Sequence, residues 1–295
     1  MAAPKRKRFP SSSEPGLRKL IRFLWGPGRT ATLMVLLIAV LLGGWCAAWS
    51  RVRDYVLSSD DYTVTPEQLE ITPLPKWIHS DIPAEVFRNA SLDGPLSIMD
   101  DDLTKRIAEA FASHPWVAKV HRVTKRHPAC VQVELDYRRP VCMVQLAGRL
   151  LPVDARGVLL PPGDFSPVEI SRYLRLIDVH TTPMGTVGEC WGDARVIGGA
   201  AVAAALEDVQ EELNLSHIVP CDPLRAGFAE ECTYTLVTRG GAKVSWGRAP
   251  GTRAPGEPTP KEKIARLKEY AAKHGTLDGR GAPQELDVNL MSASS

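Results

Sequence analysis

The chain has 295 residues, with 36 lysines and arginines against 34 aspartates and glutamates, for a net charge of +2. Hydrophobic residues make up 44% and charged residues 24%, an ordinary globular composition that excludes a low-complexity or fixed-period repeat protein. The near-balance of charge hides an asymmetry. Residues 1–30 hold Lys5, Arg6, Lys7, Arg8, Arg18, Lys19, Arg22 and Arg29 against Glu14 alone, a net of +7, which leaves −5 for residues 31–295.

The uncharged run Thr30–Ser50, set between Arg29 and Arg51, follows this basic arm. About 20 such residues cross the hydrocarbon core of a bilayer as a helix. The positive-inside rule then puts arm 1–29 in the cytoplasm and the C-terminal bulk outside, with Trp25, Trp45 and Trp49 as interfacial anchors. A cleavable signal peptide is the competing reading, with Cys46-x-Ala48 as the small-residue site, but the arm and the apolar run are both long for one. Trp45, directly before Cys46 where a small residue is needed, argues against a lipoprotein signal.

About 240 residues remain, enough for one large or two modest domains. Residues 51–64 read as a linker. A short extended stretch follows at Gln68–Ile71, then a short helix over Pro83–Ala90. Asp100, Asp101 or Asp102 caps a stronger helix, whose stripe is Leu103, Ile107, Ala110 and Phe111. Two strands come next, Trp116–Val123 and Cys130–Tyr137, joined by a turn at Lys125–Pro128. The second alternates cleanly, with Gln132, Glu134 and Asp136 on one face. The order is β-α-α-β-β.

From Pro140 the pattern is mostly strand. Val141–Leu146, Arg149–Asp154 and Val158–Leu160 form a hairpin pattern turning at Ala155-Arg156-Gly157, and Leu174–Val179 is a further strand. Asp193 caps an alanine-rich helix running to about Leu213. Ser216–Val219, Cys232–Thr238 and Ala242–Trp246 are strands, the last two joined by Gly240-Gly241. After the loop Gly251–Pro260, a helix runs from Thr259 or Pro260 to His274, stopped by Gly275. Its Lys261, Lys263, Arg266, Lys268 and Lys273 are expected to face solvent. Glu285–Leu290 is a final strand and 291–295 a disordered tail. The fold class is α+β.

No GxSxG, phosphate-binding glycine loop, HExxH or CxxC is present. His114, His121 and His127 sit in a strand-turn region among basic neighbours, and Cys190-Trp191 has no visible base. Glu134 and Asp136, about 7 Å apart on one strand face, read as a solvated surface. The expectation is a non-enzyme without cofactor, metal or nucleic acid. Outside the span lie Cys130, Cys142, Cys190, Cys221 and Cys232. Cys130–Cys142 or Cys221–Cys232 would pair only if neighbouring strands bring them together; buried free thiols are the other reading.

Several motifs join these elements: His114-Pro115-Trp116-Val117 with Val120; Lys125-Arg126-His127-Pro128 leading to Val131 and Val133; and Tyr137-Arg138-Arg139-Pro140-Val141. Val153-Asp154-Ala155-Arg156-Gly157-Val158-Leu159 follows, then Val244-Ser245-Trp246-Gly247, Lys263 with Leu267, and Leu286-Asp287-Val288. With the single anchor, this set resembles the FtsQ/DivIB family of bacterial cell-division proteins. Tyr137 departs from the family's acidic residue, and Asn289 and Leu290 stand where it has Arg and Tyr.

The resemblance implies a POTRA-like module over 65–138 and a β-rich domain over 139–290. It implies a non-catalytic inner-membrane scaffold at the division site. Its partners would be other single-span division proteins, FtsB- and FtsL-like, and the septal peptidoglycan synthase complex. Partner strands would add to exposed sheet edges. The candidate edges are Glu285, Leu286, Asp287, Val288, Asn289 and Leu290, and secondly the strand carrying Val131 and Val133. Two other readings stay open. One is a membrane-anchored extracytoplasmic enzyme acting on the cell wall. The other is a different POTRA-bearing protein, for outer-membrane assembly or secretion.

Overall fold

A computed structural model describes residues 29–57, 63–90, 96–126, 129–221, 232–252, 256–278 and 285–290. The basic arm before Arg29, the turn residues His127 and Pro128, and the tail 291–295 lie outside the described residues. The chain divides into two units, residues 1–63 and 64–295.

In the first unit, helix α1 (Arg29–Leu57) contains the expected apolar run. Its Leu33–Arg53 stretch is long and apolar enough to cross a membrane. Leu33, Leu36, Leu37, Leu41, Trp45 and Trp49 are all exposed, so no protein core accounts for their apolarity. A helix satisfies its own backbone, which is the condition for life in lipid.

The second unit begins with the β-α-α-β-β order read from the sequence, interrupted by one further two-residue strand, Leu96–Ser97, between the helices. It consists of β1 (Leu69–Ile71), α2 (Ile82–Asn89), α3 (Leu103–Ala112), β2 (Val117–Arg126) and β3 (Cys130–Tyr137). Asp81 caps α2 by accepting from the Ala84 N–H, with Pro83 in the first turn. The two helices bury Ile82, Val86, Phe87, Leu103, Ile107 and Phe111 with Val131, Val133 and Leu135 of β3. The strand alternation therefore sorts as read, with Glu134 and Asp136 on the exposed face. The sheet order is β1-β3-β2, with β1 parallel to β3 (Leu69 beside Val131) and β2 antiparallel to it (Val117 beside Tyr137). β2 runs through Lys125 and Arg126, both expected in the turn, because they pair with Val131 and Cys130.

Seven later strands build one sheet. They are β4 (Pro140–Leu146), β5 (Arg149–Asp154), β6 (Leu174–Leu176), β7 (Leu215–Pro220), β8 (Thr233–Thr238), β9 (Lys243–Arg248) and β10 (Glu285–Asp287). Their order is β10-β9-β8-β7-β6-β4-β5. Three helices accompany them: a single capped turn, α4 (Pro167–Ile170), then α5 (Ala194–Leu206) and α6 (Pro260–His274). α5 packs across β4, β6 and β7. Its small residues are a fit requirement: a Cβ added at Gly199 would lie 2.6 Å from Leu176 Cδ1.

The structure departs from the sequence reading in several further places. The hairpin turns at Ala147-Gly148, both at positive φ, between β4 and β5. Val158 and Leu159 make only isolated bridges, because Asp154 folds the chain back instead of letting a ladder form. β6 stops at Leu176, three residues short of Val179. α5 ends at Leu206, not Leu213, where Glu207 and Asp208 place negative charge at the negative end of the helix dipole. Leu213 is nonetheless buried, in the turns that follow.

The passage from β3 into the large sheet is tightly tied. Asp154 Oδ1 accepts the N–H groups of Arg156 and Val158, and its Oδ2 takes Arg138 Nη1 at 2.9 Å. Trp116 Nε1 donates to Asp164 at 2.6 Å, and Trp77 Nε1 donates to the Arg138 carbonyl. One core cluster includes Met143, Leu160 and Phe165 together with Trp116 and Val133. Residues on both sides of the 138/139 boundary thus share a core. Gly157, at φ 71°, lets the Asp154 turn lie against Ile197 of α5.

Candidate partner-binding edge

The C-terminal corner is built by α6. Thr259 and Glu262 form a capping box, Pro260 opens the first turn and Gly275 closes the helix at φ 79°. Leu267 faces the core, with Ile264, Tyr270 and Ala271 packed alongside. Two of the five cations expected in solvent point inward as well. Lys263 is 3% exposed, ion-paired to Glu257 and 5.0 Å from the Trp246 ring centroid. Glu257 also accepts the Arg248 N–H at 2.7 Å, so it fastens the loop to β9. Arg266 Nη1 donates to the carbonyls of Val288 (2.9 Å) and Asn289 (3.3 Å). Lys268 pairs instead with Glu212, and Lys273 with Glu269.

Arg266 thereby holds the segment read as the principal binding edge. β10 pairs in parallel with β9, with Leu286 beside Val244 and Asp287 beside Ser245. Leu286 and Val288 are buried, Glu285 is exposed and Leu290 is 83% exposed. The strand is shorter than expected: Asp287 Oδ1 accepts from the Asn289 N–H, and the Leu290 N–H returns to the Asp287 carbonyl, turning the chain. Among the described residues, β9 is the one strand paired with β10, so its other side is a sheet edge. The Val288 N–H donates to the Ser245 carbonyl at 3.2 Å, so it faces inward. Backbone groups alternate along a strand, and those of Glu285 and Asp287 therefore turn outward.

Polar groups without a protein partner gather at the same corner. Trp246 Nε1, Arg266 Nε and Asn289 Oδ1 are buried without one. Gly247, at φ 88°, leaves room for the Lys263–Glu257 pair and for Asn289: a Cβ there would meet Glu257 Oε1 first, then Asn289 Nδ2 at 3.0 Å and Lys263 Nζ at 3.3 Å. Behind the corner, burial opposes ionisation of Asp278, but hydrogen bonds from Thr238 and Asn214 and backbone donors at Ala242 and Gly240 outweigh it. Its pKa lies below the usual aspartate value.

The second expected edge is corrected. The strand carrying Val131 and Val133 is the middle of its sheet, hydrogen-bonded to β1 on one side and β2 on the other. Both valines are buried, at 0% and 1% exposure, so this strand has no free edge where they lie. The outer strand there is β2, whose exposed Lys119, Arg122 and Arg126 are the kind of charges that discourage strand addition. Sequence reading also passed over Lys263 and Arg266. Their spacing with Leu267 and Tyr270 puts all four on one stripe of α6, the signal that marks them as inward-facing.

The other candidates have structural partners. His114 is buried, accepts from the Trp116 N–H through Nδ1 and meets Glu85 through Nε2. His121 meets Asp136. Trp191 is fully buried, and its Nε1 donates to the Thr181 carbonyl. A cavity of about 650 Å³ is lined by His180, Thr181, Met184, Trp191, Asp193, Arg195 and Cys232, among others. The carboxylate in it, Asp193, is occupied on both oxygens by Thr181 and Arg195. Burial opposes ionisation of that carboxyl, yet these hydrogen bonds still hold its pKa below the ordinary value. It is therefore a fixed anion capping α5. No group of three or more His, Cys, Asp or Glu suited to a metal ion occurs among the described residues.

No family model matches the sequence. Over 172 residues the chain is 28% identical to a protein named Cell division protein FtsQ from Anaeromyxobacter sp. (strain K). The aligned part is 55% of this chain, and it spans half the length of that curated relative. The similarity is that of a distant relative of a cell-division protein.

Proposed function

We propose that this chain is a non-catalytic, membrane-anchored scaffold of bacterial cell division. In this reading α1 crosses the inner membrane once, the basic arm stays in the cytoplasm, and residues 64–295 work on the outer side at the division site. The likeness to an FtsQ protein supports the division role, and the charge asymmetry supports the orientation. Residues 65–138 serve as a POTRA-type module.

The observation that carries the reading is the outer side of β10. It has outward backbone groups at Glu285, an outward Asp287 N–H and an exposed Leu290. An extended segment of a single-span division protein, FtsB- or FtsL-like, adds there as an eighth strand. Backbone hydrogen bonds supply affinity, and alternate side chains supply specificity. Through that contact the scaffold links the partner to septal peptidoglycan synthesis.

The test is a fluorescent fusion followed through the division cycle, with depletion of the native protein. A midcell band and failed septation on depletion are expected. An even envelope signal with normal division would overturn the division role.

A further inference from the structure

Two sulfurs lie within reach of a bond away from the β10 edge. Cys221 directly follows β7, and Cys232 directly precedes β8. These strands are antiparallel, with Pro220 beside Tyr234, and the Cys221 N–H donates to the Thr233 carbonyl at 2.8 Å. The pairing brings both cysteines to the same end of the ladder. Their Sγ atoms are 2.8 Å apart, under about 1 Å longer than a disulfide bond. Among the described residues the other thiols have no such neighbour: Cys130 is half-buried, Cys142 is fully buried, Cys190 is exposed with Sγ 3.8 Å from the Arg156 carbonyl, and Cys46 lies on α1.

We infer that Cys221 and Cys232 are joined by a disulfide in the working protein. The inference rests on the extracytoplasmic placement given above, since only an oxidising compartment sustains such a bond.

The order of reaction follows from burial. Cys232 is buried, and desolvation, with the Cys221 thiol beside it, pushes its pKa up to about 11. Cys221 is only half-buried, so it meets an external oxidant first. Its thiolate attacks one sulfur of an oxidant R–S–S–R, forming a mixed disulfide and releasing RS⁻. The Cys232 thiolate then attacks the Cys221 sulfur and expels the second RS⁻. The two thiol protons end on the two RS⁻ groups. Two protein thiols are oxidised and one external disulfide is reduced. The closed bond lies beside the 650 Å³ cavity, whose wall includes Cys232. It staples β7 to β8 near Arg195, whose carbonyl accepts the Tyr234 hydroxyl.

The test counts thiols on the full chain in detergent, equilibrated with oxidised glutathione, acid-quenched, denatured and blocked with N-ethylmaleimide. The chain has six cysteines. The pairing predicts four adducts and a linked peptide pair containing Cys221 and Cys232. Reduction before blocking should restore all six, and Cys221→Ser should give five. The Cys221→Ala/Cys232→Ala double variant should melt with the reduced wild type and below the oxidised one. Six adducts after oxidation, or a linkage through other cysteines, would overturn the pairing. The same count on acid-quenched cells separates the two readings. Four adducts support pairing in the cell. Six in cells with four in vitro would contradict the extracytoplasmic placement while leaving the geometry intact.

Discussion

Replacing Asp154 with alanine should be among the most damaging single changes in residues 64–295. Its carboxylate is 8% exposed, and it accepts from two backbone N–H groups and from Arg138, itself 16% exposed. Removing one partner of a buried pair leaves the other charge uncompensated, which costs about 3–5 kcal/mol. The two freed N–H groups add to this. Against a typical stability of about 5–15 kcal/mol, the variant stands near the folding threshold. For a unit of this size, each kcal/mol shifts Tm by about 2–4 °C, so a fall of roughly 6–20 °C is expected. The double variant Arg138→Met/Asp154→Ala should recover part of the loss, because no unpaired cation remains. Urea denaturation of the full chain in detergent, run as a double-mutant cycle, should give a coupling of at least about 2 kcal/mol. A single variant within about 1 kcal/mol of wild type would refute the reasoning. So would a double variant equal to the sum of the singles.

Other predictions concern the C-terminal corner. Asp287→Pro removes an outward N–H, which an edge strand tolerates, together with the carboxylate that accepts the Asn289 N–H; measured against Asp287→Ala, which loses the carboxylate alone, it should show the same Tm and lose partner capture. Val288→Pro removes the donor to Ser245 and should loosen β10 itself, seen as faster amide exchange at Leu286; equal behaviour of the two variants would contradict the assigned faces. Arg266→Met deletes charge-assisted bonds to two carbonyls, and exchange protection over 286–288 should fall by an amount equivalent to about 1.5–3 kcal/mol. The folded pKa of Asp278 lies below its unfolded value, so its contribution is complete above the ordinary aspartate range and is lost as pH falls through the folded value. Asp278→Asn should therefore flatten the acid limb of the stability–pH profile measured below about pH 4, and an unchanged limb would remove Asp278 from the account.

Much of this architecture can be read from local pattern. The stripe Leu103, Ile107, Ala110 and Phe111 and the alternation from Val131 to Asp136 are amphipathic signals, and both elements stand where they were expected. The Asp154-x-x-Gly157 turn was visible as a motif, but its reason is tertiary: Asp154 gathers Arg138 from 16 residues earlier, and Gly157 admits Ile197. What local pattern cannot carry is strand order. Nothing within Cys130–Tyr137 says that a strand some 60 residues earlier in the chain occupies its other side, and so a central strand was read as a possible edge. Lys263 and Arg266 were missed because a cation reads as solvent-facing until its buried acceptors, Glu257 and the Val288 carbonyl, are known. The cysteine pairing likewise needed the β7–β8 register before one of two candidate pairs stood out.

The most direct test of the central claim is site-specific photo-crosslinking in dividing cells, with the probe placed at Glu285, Asp287 or Leu290 and, for comparison, at Glu134. The account predicts adducts with a single-span division protein from the three edge positions and none from Glu134. Edge positions without adducts in cells where the protein gathers at midcell, or an equal yield from Glu134, would contradict it.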